Sequence, residues 1–402
     1  TVVGLALAIV FVAPDLRMPA VTQFVDGSGP VWAGSLFPFL FIIIACGAVS
    51  GFHALISSGT TPKLLNNEKD ARFIGYGGML MESFVAIMAM VAAAVIDPGI
   101  YFAMNSPAVV LGPTAQSAAQ VISQWGFVIT PDVLIQTAKD VGENTIISRA
   151  GGAPTLAVGM AQIFSSVIGG QAMMAFWYHF AILFEALFIL TAVDAGTRAG
   201  RFMLQDLLGT FVPALKQTHS WYANLIGSGL CVAGWGYFLY QGVVDPFGGI
   251  NTFWPLFGIS NQMLAGVALI LCTVVLFKMK RHKFAWVTIV PTTWLLICTM
   301  TAGWEKIFHA SPKIGFLSHA QVFQNAIDKG IVLAPAKSMA HMQQIVFNDY
   351  VNTSLAGIFM FVVVSVLFFG VRECIKAYRA EKPTSQELPF EPMPEHKVVT
   401  SV

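Results

Sequence analysis

Seven stretches of twenty or more residues run almost without charge: 34–56, 73–96, 172–193, 221–243, 255–277, 284–303 and 352–371. About 20 apolar residues are what a helix needs to cross the hydrocarbon of a bilayer. Of the 22 Lys/Arg and 21 Asp/Glu, only Glu82 and Glu185 fall inside these runs. The cost of placing charge in hydrocarbon explains that exclusion. The whole chain of 402 residues is 56% hydrophobic and 11% charged, against about 25% charged for a soluble domain. Such a chain cannot cover a water-exposed surface, which excludes a soluble enzyme, and its net charge of +1 offers no field for nucleic acid. Cys46, Cys231, Cys272, Cys298 and Cys374 form no CxxC pair, so no disulfide framework or metal site is expected. The expectation is an all-α polytopic membrane protein. Thr1 stands inside an apolar run, 1–13, which reads as the end of a further helix of a longer protein.

Basic residues orient the spans. Segments 57–72, 194–220, 278–283 and the tail from 372 hold 15 of the 22 Lys/Arg; the alternate segments 14–33, 98–153, 244–254 and 304–351 hold seven. The positive-inside rule makes the first set, and the C-terminus, cytoplasmic. The order of segments then requires that 154–170, short and bracketed by Gly151-Gly152 and Gly169-Gly170, does not cross by itself; it reads as a re-entrant or external segment. Residues 1–380 are expected to form one membrane region of seven to nine helices with external loops 98–153 and 304–351. Within the first loop, Thr130 before Pro131 and Asp132 reads as a helix N-cap. Segment 194–213 alternates charged and apolar residues like an interfacial helix. Residues 381–402, rich in Pro and Glu, read as a disordered cytoplasmic tail.

Hydrocarbon gives no partners to loose backbone groups, so a broken span must face protein or a wet cavity. Two breaks stand out. The first is Cys46 to His53, with Gly47 and Gly51 on one helix face, Ser50 and His53 beside them, and the hydroxyl-rich exit to Lys63. It reads either as close helix packing or as an unwound binding segment. The second is Trp254 to Gln262, where Gly258 is followed by Ser260, Asn261 and Gln262 in an otherwise apolar span. These amides line a solute or ion path or glue helices together. Glu82 and Glu185 survive in their spans only if paired, wet or protonated, and a carboxylate that loads and releases a proton suits coupled transport; a hydrogen bond between helices is the structural alternative. Tyr178, His179 and Trp177 read as an interfacial aromatic belt, and Asp194 with Arg198 as a local ion pair. No GxxxxGK[ST] loop, HExxH motif or nucleophile–base set appears, so neither ATP hydrolysis nor another enzyme activity, and no metal or cofactor, is expected.

Long motifs then resemble one family. Phe37–Lys63, Gly78–Phe84, Arg149–Gly159, Phe176–Phe180, Asp194–Arg198 and Trp254–Gln262 are similar to the carbon starvation protein A family, nearly end to end. The resemblance is strongest to the peptide-transporter branch, with the pyruvate-transporter branch next. It implies a bacterial inner-membrane carrier, induced in carbon starvation, that imports small peptides. Import is expected to be coupled to protons, with sodium the other candidate ion, and a pyruvate/proton symporter is the alternative that the resemblance implies. It also implies a LeuT-like fold of two inverted repeats whose broken helices meet at mid-membrane. Family members are longer and carry an earlier Gly- and His-rich segment, so a partial bundle lacking its N-terminal part is expected. The resemblance carries over no catalytic residues. A membrane sensor or assembly subunit that moves no solute is the alternative of another class.

Overall fold

The computed structural model describes residues 1–384 apart from 32, 45–48, 218–219 and 246–248, and the backbone but not the side chains of 249–255. Every regular element among the described residues is helical. Numbering helices of eight residues or more, these are α1 (Val2–Val12), α2 (Gly51–Gly59), α3 (Asp70–Val95), α4 (Pro98–Asn105), α5 (Ala115–Gln124), α6 (Pro131–Asp140) and α7 (Gly152–Val167). They continue with α8 (Met174–Gly209), α9 (Trp221–Val244), α10 (Gly249–Lys278), α11 (Trp286–Phe308), α12 (Phe316–Asp328) and α13 (Met339–Arg379).

Five helices, α3, α8, α10, α11 and α13, are long and apolar enough to cross a membrane, each covering one expected run. This is a multi-pass membrane protein. Helix α9 covers 221–243 at full length. The run 34–56 is not one helix. A helical stretch ends at Ile43, Ile44 is in a turn, and α2 begins only at Gly51.

Local signals place the ends. Thr130 accepts from the Val133 N–H with Pro131 in the first turn of α6, as its sequence predicts. Gly151 at φ 128° and Gly169 at φ 86° bound α7, a backbone state that favours glycine. Sixteen residues make α7 about 24 Å long, short of a hydrocarbon core of about 30 Å. It is nonetheless one of the most buried helices, packed on α1, α3 and α8.

Two expectations are corrected. Segment 194–213 is no separate interfacial helix: α8 runs unbroken to Gly209, because Gly196 and Gly200 do not stop it but let it close on Phe52 and Cys231. Tyr178 is not in an aromatic belt; it is 1% exposed, facing the Arg149–Glu143 ion pair across the core. The stretch 98–153 carries local helices, as its helix signals suggest. Its helices α4 to α6 share one core with α1, α7 and the neighbouring ends of α3 and α8, through Phe102, Met104, Ile122, Leu134 and Ile146. Likewise α12 and the first turns of α13 fill much of 304–351. The Asp194–Arg198 pair forms at 3.0 Å. The greater part of the tail, 385–402, lies outside the described residues.

Candidate functional site

The two sequence breaks meet. The helical stretch ending at Ile43 leaves carbonyls without partners, and the start of α2 at Gly51 leaves N–H groups without them. Helix α10 supplies both needs from adjacent residues. The Gln262 side-chain amide donates to the carbonyls of Phe41 and of Ile42, the latter at 3.2 Å. The Asn261 Oδ1 accepts from the Phe52 N–H at 2.8 Å. Ser50 caps the restarted helix by accepting from the His53 N–H.

Glycine lets the segments approach. A Cβ on Gly51 would lie 2.1 Å from the Asn261 carbonyl oxygen, and one on Gly258 would lie 2.7 Å from Ile42. Both glycines are therefore required by close contact, which confirms the packing reading without excluding the binding one. Because Phe52 fixes the Asn261 oxygen and the carbonyls fix the Gln262 nitrogen, the free ends of both amides are assigned by the network. The Asn261 Nδ2 and the Gln262 Oε1 are buried and have no hydrogen-bond partner among the described residues. One is a donor and the other an acceptor, on successive residues of α10.

His53 reaches from α2 to Glu82 on α3, with Nε2 3.5 Å from the carboxylate. The two side chains stay 51% and 44% exposed. Thus Ser50, Gly51, His53, Glu82, Gly258, Asn261 and Gln262 form one connected set. Gly47 lies outside the described residues. Ser260 does not join: its hydroxyl donates to the Phe257 carbonyl of its own helix. Glu185 stands apart, half-buried on α8, with no hydrogen bond or ion pair among the described residues.

A cavity of about 480 Å³ adjoins the first half of the broken helix. Met18, Phe24, Leu36, Phe39, Ile43, Met90 and Phe102 line it; Thr22, Ser35 and Tyr101 are its polar side chains, and among the described residues no Lys, Arg or His contributes. None of the connected set lines this cavity.

Two polar features escaped sequence reasoning. Lys306, 5% exposed, places its ammonium 5.2 Å from the Phe39 ring centre. A network of Asp245, His319, Asn348 and Asp349 ties α12 and α13 to the end of α9. Both sit in stretches read as loops, and the burial that makes them notable comes from helices absent from that reading.

Replacing Gln262 by leucine leaves the Phe41 and Ile42 carbonyls unpaired, at about 1–3 kcal/mol for a buried group. The expected result is a stability loss of about 2 kcal/mol in detergent unfolding, with insertion intact. An unchanged unfolding curve would mean that the break is held by other contacts.

A family model for carbon starvation protein CstA matches residues 1–302. The chain is 64% identical to the peptide transporter CstA of Escherichia coli K12, over 98% of this chain and 57% of that protein. It is 57% identical to the pyruvate/proton symporter BtsT of the same organism, over 100% of this chain and 59% of that protein. Identity to the peptide transporter CstA of Helicobacter pylori 26695 is 53%, over 96% of this chain and 57% of that protein. The chain therefore spans less than three-fifths of the length of these relatives. No solved structure matches it.

Proposed function

The chain belongs to the carbon starvation protein CstA family, and from that premise we propose that it forms the membrane core of a proton-coupled importer of small peptides. The supporting observation is the pair of buried amide ends at the helix break, Asn261 Nδ2 as donor and Gln262 Oε1 as acceptor. A peptide group offers a carbonyl acceptor and an N–H donor, and so satisfies both. Pyruvate offers acceptors alone and would leave the Gln262 oxygen unmatched, which is costly for a buried polar atom. The largely apolar lining of the cavity beside the break supports the same choice, since it suits an apolar peptide side chain.

Proton coupling is read from Glu82 and His53, a carboxylate and an imidazole within reach of each other on an apolar helix. The position of the Lys278–Lys283 turn supports a cytoplasmic C-terminus. A bacterial inner membrane is then the site of action, during carbon starvation as the family name implies.

The test is uptake by the full-length protein in proteoliposomes under an inward proton gradient. Labelled di- and tripeptides are expected to accumulate and pyruvate to compete weakly. Accumulation of pyruvate with no peptide uptake would overturn the peptide reading in favour of the chemistry printed for the 57%-identical relative. No flux of either solute would support a non-transporting sensor.

A further inference from the structure

The cavity beside the first half of the broken helix is walled from separate parts of the chain. Leu36, Leu40 and Ile43 come from the half-helix, Met90 and Ala93 from the last turns of α3, and Phe24 from the 18–35 segment. These walls are held to one another. The Ala94 carbonyl accepts from the Arg17 N–H at 2.8 Å and the Met18 N–H at 3.0 Å, which ties the segment to α3. Phe24 lies edge-on to Phe102 at 5.5 Å and to Trp125 at 6.1 Å, and the Gln23 side chain donates to the Trp125 carbonyl. A volume of about 480 Å³ lies within the range of small-molecule sites.

Of the three polar side chains in the lining, two are already engaged with backbone. The Thr22 oxygen accepts from the Phe24 N–H at 3.4 Å, and the Ser35 hydroxyl donates to the Phe37 carbonyl. Tyr101 differs from both: its hydroxyl has no hydrogen-bond partner among the described residues. Its ring is fixed edge-on against Phe102 at 5.4 Å. Burial pushes the phenol up from its ordinary value, so the group stays protonated and can donate. A donor left unpaired in an apolar enclosure is costly, and an acceptor on a bound solute removes that cost.

We propose that this cavity binds a large apolar side chain of the carried peptide, and that the Tyr101 hydroxyl donates to a peptide carbonyl beside it. The class of solute rests on the peptide reading above; the cavity and its one hydroxyl without a hydrogen bond do not. The consequence is selection. A Leu, Met or Phe side chain matches the apolar walls, whereas a charged one would meet no charged partner among the described lining residues. An occupant would also rest on the half-helix whose Phe41 and Ile42 carbonyls are held by Gln262.

The experiment is a saturation-transfer NMR titration of N-acetyl-phenylalaninamide on the full-length protein in lipid nanodiscs, which reads binding without transport. Tyr101→Phe keeps the ring and removes only the hydroxyl, and is expected to weaken binding about fivefold. Ala93→Leu fills the cavity and is expected to abolish binding, while Tyr240→Phe, an exposed change on α9, leaves it in place. If Ala93→Leu fails to fold, Tyr101→Phe alone decides. Affinity unchanged by Tyr101→Phe, or no binding to the parent protein, would overturn the proposal even where peptides are taken up. Binding that responds as expected, in a protein that takes up no peptide, would uphold the cavity assignment and remove the peptide reading instead.

Discussion

Glu82→Gln in the full-length protein is expected to reduce proton-driven uptake to background while leaving membrane insertion and the helical content unchanged. Glutamine keeps the size and the hydrogen-bonding reach of the glutamate but cannot take up and release a proton. An ionised carboxylate in mid-bilayer costs about 3 kcal/mol on insertion scales, so the native residue persists there at the expense of stability, and a partner 3.5 Å away makes that tolerable. His53 lies on α2, whose start is held by Asn261 and Ser50. In the proposed mechanism, a proton taken up by the Glu82–His53 pair would act on an element directly coupled to the break. Uptake that keeps its pH dependence in the variant would remove Glu82 from the mechanism. His53→Gln is the companion measurement, and the pairing predicts a loss of the same kind.

Gly51→Val is expected to have the largest structural effect. The added Cβ would fall 2.1 Å from the Asn261 carbonyl oxygen and 2.7 Å from the Leu264 side chain, and the first of these is backbone that cannot rotate away. Helices α2 and α10 must then separate, which breaks the Phe52–Asn261 hydrogen bond. Overpacking of this kind costs about 1–3 kcal/mol, and the lost bond to a buried amide adds about 1 kcal/mol. Denaturant unfolding in detergent should show the loss, and transport should fail even where the protein inserts. A variant as stable and as active as the parent would mean that the break is loosely packed in the working protein.

The legible part of this molecule was its apolar segmentation. Excluding charge from hydrocarbon leaves a mark in every span, and α3, α8, α10, α11 and α13 fall where the charge-free runs predict. Helix caps such as Thr130 and glycine stops such as Gly151 were also readable, because each acts within a few residues of chain. Among site residues, the glycine and amide clusters at 47–53 and 258–262 could be flagged singly, since polar or flexible groups in an apolar run demand an explanation. Their partnership could not. Asn261 and Phe52 are 209 residues apart, and nothing local in either segment encodes the hydrogen bond between them.

The same reasoning explains the misses. Ser260 stood in the same polar triplet as Asn261 and Gln262, yet it faces another way and bonds to its own helix, because helical pitch separates successive residues by a large angle. Tyr178 looked interfacial beside Trp177, and only the packing of α7 and of 98–153 buried it. Lys306 and Asp349 passed as loop charges because their shelter is built by other helices. The sequence by itself determined that this chain crosses a membrane, about where it crosses, and which residues would be anomalous there, since transfer into hydrocarbon is a property of each segment alone. Only the tertiary structure decided which anomalies belong together: Gln262 with the end of the first half-helix, Asn261 with the start of the second, and His53 with Glu82. Pairing of buried polar groups depends on contact between segments distant in the chain, and that contact exists only after the helices have packed.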